Sequence, residues 1–311
     1  MKIGIVGAGL VGSAAGYAMV LGGVAADIVF VDINAPLARA QAEDILHATP
    51  MSNPVRVTAG EYPALAGSSV VVLACGASQT PGAYRLQLLD RHRKIFAEVT
   101  RDVTSHAPGA IFLIASNPVD LMTHFVARES GVPPARVIGS GTILDTARFR
   151  TLLGDWLGIS PHSVHAHVLG EHGDSEVLAW SSADVGGVPL GEAARIMGKE
   201  LTEGVKQEID ERVRTAAYTI IRGKGATWYG IGAALTRIVR AIGDDERAVL
   251  TLSNTDTPGF AGVSFSLPRV VGKEGIVATL SPSLTSDEQA ALGRSAEILR
   301  AAGGLSPVGE F

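Results

Sequence analysis

Four segments of the chain carry the residue types needed to move a proton and a hydride at a carbonyl group. They are Gln79-Thr80-Pro81-Gly82-Ala83-Tyr84-Arg85, Ser116-Asn117-Pro118, Leu144-Asp145-Thr146-Ala147-Arg148 and Gly170-Glu171-His172-Gly173-Asp174. Reduction of a 2-keto acid puts hydride on the carbonyl carbon and a proton on its oxygen. A histidine suits the proton, because its ordinary pKa of about 6.5 is easily tuned. A carboxylate behind it fixes the tautomer and favours the charged ring. One arginine can stabilise charge developing on the oxygen, and a second can grip the substrate carboxylate as a bidentate fork. Asp145 and Arg148, three residues apart, share a face if they lie on one helix. Spacing alone does not bring Asp145 to His172.

Gly7-Ala8-Gly9-Leu10-Val11-Gly12 follows an apolar run and opens a helical pattern. In such a turn Gly7 permits the tight bend, Gly9 a close approach to a pyrophosphate, and Gly12 close packing of the helix. The helix N-terminus offers free N–H groups and partial positive charge. Asp32 follows at the end of a second apolar run, where a carboxylate can bind both hydroxyls of an adenosine ribose and repel a 2′-phosphate. The pattern predicts an NAD site.

These residues must be held by elements that the sequence also outlines. Lys2–Val6, Ile28–Val31, Val70–Leu73 and Ile111–Ala115 are short apolar runs, as strands buried on both faces require. Helical patterns at Gly12–Leu21, Ala35–His47 and Leu86–His106 alternate with them. The first half, residues 1–140, is predicted to be an α/β doubly wound parallel sheet of the Rossmann kind. Residues 141–311 are predicted to form a mixed α/β catalytic domain with antiparallel strands. Its strands are expected at Val164–Leu169, Ser181–Val185, Val263–Val271 and Gly275–Ala278, and its helices at Ile143–Leu157, Ile209–Gly223, Gly230–Ile242 and Ser286–Ala302. Ser286 with Gln289 suggests a capping box on the last helix.

Composition narrows the function classes. Of 311 residues 46% are hydrophobic and 18% charged, enough for a substantial core. A formal charge of −5 argues against a general nucleic-acid surface. Apolar stretches fall short of the ~18 residues of a membrane span. Cys75 is the only cysteine, so no intrachain disulfide can form, and the sequence starts on a strand without a leader pattern. The expectation is a cytoplasmic protein with no metal. His165 and His167 share a strand face at a spacing that could hold one, but a phosphate reading fits His165 better.

Over essentially its whole length the sequence resembles the lactate and malate dehydrogenase family. The resemblance rests on GAGLVGS, VD at Val31–Asp32, SNPVD, GSGTILDTARFR, VLGEHGDSE, KGATWYGIG and SLPRVVG, in that order. It implies that His172 is the proton donor and acceptor with Asp145 as its orienting partner. It further implies that Arg85 polarises the carbonyl, Arg148 binds the substrate carboxylate, Asn117 sits near substrate and nicotinamide, and Thr227 lines the pocket. Malate dehydrogenases carry arginine where this chain has Gln79, so a second substrate carboxylate would be buried unpaired. The resemblance therefore implies pyruvate and L-lactate, with a malate dehydrogenase or broader 2-ketoacid reductase as the alternative. Ala83 and Tyr84 depart from the usual acidic residue and Ser or Thr, and His92 from a frequent asparagine; these changes bear on loop closure. Arg150 and His165 match positions that bind fructose 1,6-bisphosphate between subunits in allosteric bacterial members, which implies activation of a homotetramer.

Overall fold

The computed structural model describes residues 1–76 and 85–305, the side chains of residues 85–90 excepted. The chain opens with β1 (Lys2–Val6), α1 (Leu10–Gly22), β2 (Asp27–Val31), α2 (Ala35–Ala48), β3 (Arg56–Ala59) and β4 (Val70–Leu73). It continues through α3 (Arg85–His106), β5 (Ile111–Ile114), α4 (Val119–Glu129) and β6 (Val137–Gly139). These six strands pair in parallel in the order β3-β2-β1-β4-β5-β6. The order reverses between β1 and β4, which opens the crevice where doubly wound sheets bind ligands, at the carboxyl ends of the strands.

The apolar runs are continuous because both faces of the sheet are covered. Ile3, Ile5, Val70, Val72, Ile111 and Leu113 pack on one side, beneath α1 and α2. Val6, Val71, Leu73, Phe112 and Ile114 pack on the other, beneath α3 and α4. Successive strand residues point to opposite faces, so neither face can be polar here.

Then come α5 (Ile143–Leu157), β7 (Val164–His165), β8 (Val168–Leu169), β9 (Val177–Leu178), β10 (Asp184–Val185) and β11 (Val188–Pro189). The chain ends with α6 (Leu190–Ile196), α7 (Glu203–Lys224), α8 (Tyr229–Gly243), β12 (Ala248–Asn254), β13 (Phe265–Gly272), β14 (Gly275–Thr279) and α9 (Ser286–Gly303). A third core, including Phe149, Leu153, Val164, Val168, Ile209 and Val213, joins α5 and α7 to β7 and β8.

Several expectations are corrected. The predicted strand at Val164–Leu169 is two strands, because β7 pairs with β10 while β8 pairs with β9 in a different small sheet. Of Ser181–Val185 only Asp184–Val185 is a strand; Trp180–Ser182 form a single 3-10 turn, where the Ser181 N–H donates to Glu288 at 3.0 Å. The capping box lies one residue earlier than predicted, on Thr285 and Glu288, because Glu288 bonds back to the Thr285 N–H at 2.9 Å. The antiparallel strands of the second half extend the parallel sheet: β12 pairs with β6 at Ser253 and Gly139, and β13 and β14 follow outward. Arg269, in the SLPRVVG motif, is fully buried and donates to the carbonyls of Leu252 and Asp256 at 2.8 and 2.7 Å. It is a structural cation that ties this extension together.

Candidate active site

The glycine turn after β1 has the shape its chemistry requires. Gly7 has φ +105°, and a Cβ there would stand 2.7 Å from the Ala74 backbone. A Cβ on Gly12 would meet the Gly7 carbonyl oxygen at 1.9 Å, so helix and turn pack as closely as backbone allows. Among the described residues, nothing lies within 4 Å of where a Cβ on Gly9 would stand. That open ground faces the first turn of α1, where Leu10, Val11 and Gly12 carry N–H groups without partners inside the helix. Asp32 stands at the end of β2, its Oδ2 accepting from Ala8 N–H at 2.7 Å and its Oδ1 from Asn34 N–H at 2.8 Å. These bonds fix the carboxylate and leave each oxygen a further lone pair for a sugar hydroxyl. The residues fit a dinucleotide: the glycine turn and α1 for its phosphates, Asp32 for a ribose. When bound, that group supplies or accepts the hydride.

His172 and Asp145, 27 residues apart, meet: Nδ1 is 2.6 Å from Asp145 Oδ2. Their meeting is built from backbone bonds. The Val168 N–H donates to Thr146 Oγ1 at 2.9 Å, which ties the first turn of α5 to β8. Gly170 pairs with Ser266 of β13, and the Glu171 N–H donates to Ser295 of α9 at 2.9 Å. The His172 N–H donates to Asp120 Oδ2 of α4 at 2.7 Å. Four elements thus hold one loop.

The electrostatics follow from these contacts. Burial favours a neutral Asp145, but the His172 and Arg148 charges outweigh it and keep the carboxyl below its ordinary range. Asp145 also lies in the first turn of α5, where the helix dipole favours an anion. An ionised Asp145 can only accept, so His172 presents Nδ1–H to it and leaves Nε2 for a substrate. Burial works against a charged ring, yet the Asp145 carboxylate prevails and holds His172 at about 9. The ring is therefore a loaded acid at neutral pH.

Arg148 Nη1 donates to the other Asp145 oxygen, Oδ1, at 2.5 Å. Asp145 is nearly sealed from solvent, with 3% side-chain exposure against 17% for Arg148. Removing one partner of such a pair typically costs ~3–5 kcal/mol. Arg148 also lines a cavity of about 520 Å³ with Leu144, Ile220, Thr227, Trp228 and Tyr229. Lys224 lines it too, its ammonium 3.3 Å from the Trp228 ring centroid and 4.2 Å from that of Tyr229. The cavity wall is mostly apolar, suited to a substrate with one charged end.

Asn117 is exposed just beyond β5, at the same sheet edge as the glycine turn. Arg85 opens α3, but its side chain lies outside the described residues, as do Gln79, Ala83 and Tyr84. His92 is buried against Gly76, three residues past β4. Arg150 Nε donates to the Ala166 carbonyl at 2.9 Å, and His165 is exposed opposite Asp184. His167 is held at about 4 by burial and by the charges of Arg150 and His165, so three basic groups converge here. Two residues of the site were not singled out in the sequence, Asp120 and Glu176. Both sit inside quoted motifs, SNPVD and VLGEHGDSE, but only burial reveals them: 2% and 4% exposed. Asp145, His172 and Glu176 bring ligand-type atoms within 4.8 Å of one another. Both Asp145 oxygens are already engaged, which leaves little for a metal.

A dinucleotide cradle at one end of a parallel sheet, with a half-buried histidine held by a buried aspartate, defines an NAD-dependent dehydrogenase of 2-hydroxy acids. The chain belongs to the lactate/malate dehydrogenase family. Residues 1–139 match the family model of the NAD binding domain, and residues 142–303 that of the alpha/beta C-terminal domain. An L-lactate dehydrogenase of Thermus aquaticus is 57% identical over 304 residues, 97% of this chain and 98% of that protein. One of Allorhizobium ampelinum is 56% identical over 96% of this chain and 97% of the relative. Among solved structures, the ligand-bound minor L-lactate dehydrogenase of Enterococcus mundtii superposes with a TM-score of 0.93 at 38% identity, covering 97% of each chain.

Proposed function

We propose that the protein catalyses the reversible reduction of pyruvate to L-lactate with NADH. The observation that carries this reading is the 2.6 Å contact between His172 and Asp145 beside a cavity lined by Arg148. His172 Nε2 gives its proton to the carbonyl oxygen as hydride arrives and takes it back in the reverse direction. Asp145 holds the ring in the tautomer that makes this possible. Arg148 grips the substrate carboxylate with the N–H groups not spent on Asp145, Thr227 lines the pocket, and Asn117 positions substrate and nicotinamide. Arg85 polarises the carbonyl, and neutral Gln79 leaves room for a methyl group rather than a second carboxylate. The curated relatives named L-lactate dehydrogenase, at 43–57% identity over nearly the whole chain, support pyruvate over oxaloacetate.

The assembly is a cytoplasmic homotetramer of fermentative glycolysis in which fructose 1,6-bisphosphate bridges subunits at Arg150 and His165. Basic groups from two subunits repel until a phosphorylated ligand neutralises them, which gives the effector unequal affinity for two quaternary states. The nearness of Arg150 and His165 supports this reading: their charges, after burial, hold the neighbouring His167 at about 4 and so neutral. The test is NAD reduction with L-lactate and D-lactate, each with and without the bisphosphate. Turnover of the L isomer alone, stimulated by the bisphosphate, is expected; turnover of D-lactate alone overturns the activity, and indifference to the bisphosphate overturns the regulation.

A further inference from the structure

Glu176 has no part in the mechanism above, yet it shares the mechanism's most protected space. It lies four residues past His172, immediately before β9, and is buried. Its Oε1 has no hydrogen-bond partner among the described residues. One ligand-type atom of Glu176 lies within 4.8 Å of such atoms on both Asp145 and His172. Arg148 and His172 each donate to one Asp145 oxygen, and no such bond joins Glu176 Oε1 to the pair.

The charges around it are specific. Asp145 and Arg148 face it from α5, Arg214 from α7 and His172 from its own loop. Asp120 of α4 adjoins His172, and Arg214 is already matched by Asp210. With His172 protonated, Arg148, His172 and Asp145 leave one positive charge for a monocarboxylate substrate; Asp120, pushed by burial up to about 6, adds its charge above that pH from behind the loop, on the His172 N–H. A second carboxylate in the same desolvated space would cancel that positive charge.

We propose that Glu176 is a positioning residue that gates substrate binding by its own proton. With the proton on, Arg148 and His172 keep a net positive charge for the carboxylate of a 2-keto acid. With the proton off, the internal carboxylate competes for that charge and the substrate is refused. Burial first, and then the Asp145 charge, push the Glu176 carboxyl up to about 8, against the pull of Arg214, His172 and Arg148. The gate therefore closes within a pH range in which the protein can be assayed. This inference rests on the reading of the site as a 2-keto acid reductase.

The consequence is countable. If binding requires protons on both Glu176 and His172, two protons are taken up per substrate bound once both groups have titrated. The assay is KM for pyruvate with NADH from pH 6 to 10, together with calorimetry of oxamate binding to the NADH complex in buffers of different ionisation enthalpy. Oxamate is a pyruvate-like monoanion that does not react. In the wild-type enzyme log KM climbs with a limiting slope of two, and proton uptake exceeds one per site. In E176Q the slope is limited to one, so at pH 10 its KM is about a hundredfold below that of the wild type. The divergence falls on KM and not on kcat. A slope and an uptake that never exceed one in the wild type overturn the gate, whether or not E176Q folds. A slope of two retained in E176Q also overturns it. Failure to turn over pyruvate at any pH would instead overturn the reading on which the gate rests.

Discussion

Replacing Asp145 with asparagine swaps two acceptors for one acceptor and one donor. In the native site Oδ2 receives His172 Nδ1–H and Oδ1 receives Arg148, so an amide satisfies one cation and opposes the other. The charge that lifts His172 to about 9 is lost while the burial that lowers it remains. The histidine should then titrate at its ordinary value of about 6.5 or below. At pH 8 the protonated fraction falls from about 90% to about 3%, a loss of roughly 30-fold in pyruvate reduction from protonation alone. At pH 6 the same cause removes less than about half. Steady-state kcat/KM with NADH and pyruvate, measured across this range, separates the two regimes; any deficit left at pH 6 reports misorientation of the ring. A variant whose basic limb stays at the wild-type position refutes the assignment of Asp145 as the source of the His172 charge. Stability should follow the same sign. His172 is raised on folding, so the pair's contribution is fully present below about pH 6.5 and is lost as pH rises through about 9. Thermal melts of the wild type should show that decline through about pH 9, and those of Asp145→Asn should lack this part, keeping only the decline that the raised Glu176 causes below about pH 8.

Gly9→Ala meets no atom of the described residues within 4 Å, so the melting temperature should hold while NADH affinity falls about tenfold or more; fluorescence titration measures it, and unchanged affinity would place the pyrophosphate elsewhere. Asp32→Ala strips acceptors from the Ala8 and Asn34 N–H groups, so it should cost ~1–3 kcal/mol in denaturant unfolding and narrow the preference for NADH over NADPH. Gln79→Arg supplies the missing cation and should raise kcat/KM for oxaloacetate relative to pyruvate by about a hundredfold; no change in that ratio removes Gln79 from the specificity argument. Arg150→Gln should weaken activation by fructose 1,6-bisphosphate about tenfold or more in effector concentration, and undiminished activation would contradict its role.

What could be read in the sequence was local. The turn Gly7–Gly12 joins strand and helix within a few residues, and Ile143–Leu157 carries its period and its Gly158 cap in one stretch, so both were found where the structure has them. The strands β3, β6 and β12 escaped because their identity depends on partners. β3 is a half-exposed edge strand, β6 has three residues, and β12 gains its meaning by joining β6 to β13. The helix α4 was hidden behind the SNPVD motif that begins it. The chemistry divides in the same way. Asp145 and Arg148 share a helix face by spacing, but their contact with His172 is made by β8, β13, α4 and α9. Burial is a tertiary property, and so Asp120 and Glu176 passed as ordinary motif carboxylates.

The central claim is that this site reduces a 2-keto acid with one carboxylate. The measurement that tests it most directly follows NADH oxidation by the purified protein with pyruvate and, separately, with oxaloacetate. A higher kcat/KM for pyruvate is the expected result. A preference for oxaloacetate would contradict the account, because neutral Gln79 offers no cation to a second carboxylate and the Lys224 ammonium of the pocket is stacked on Trp228 and Tyr229.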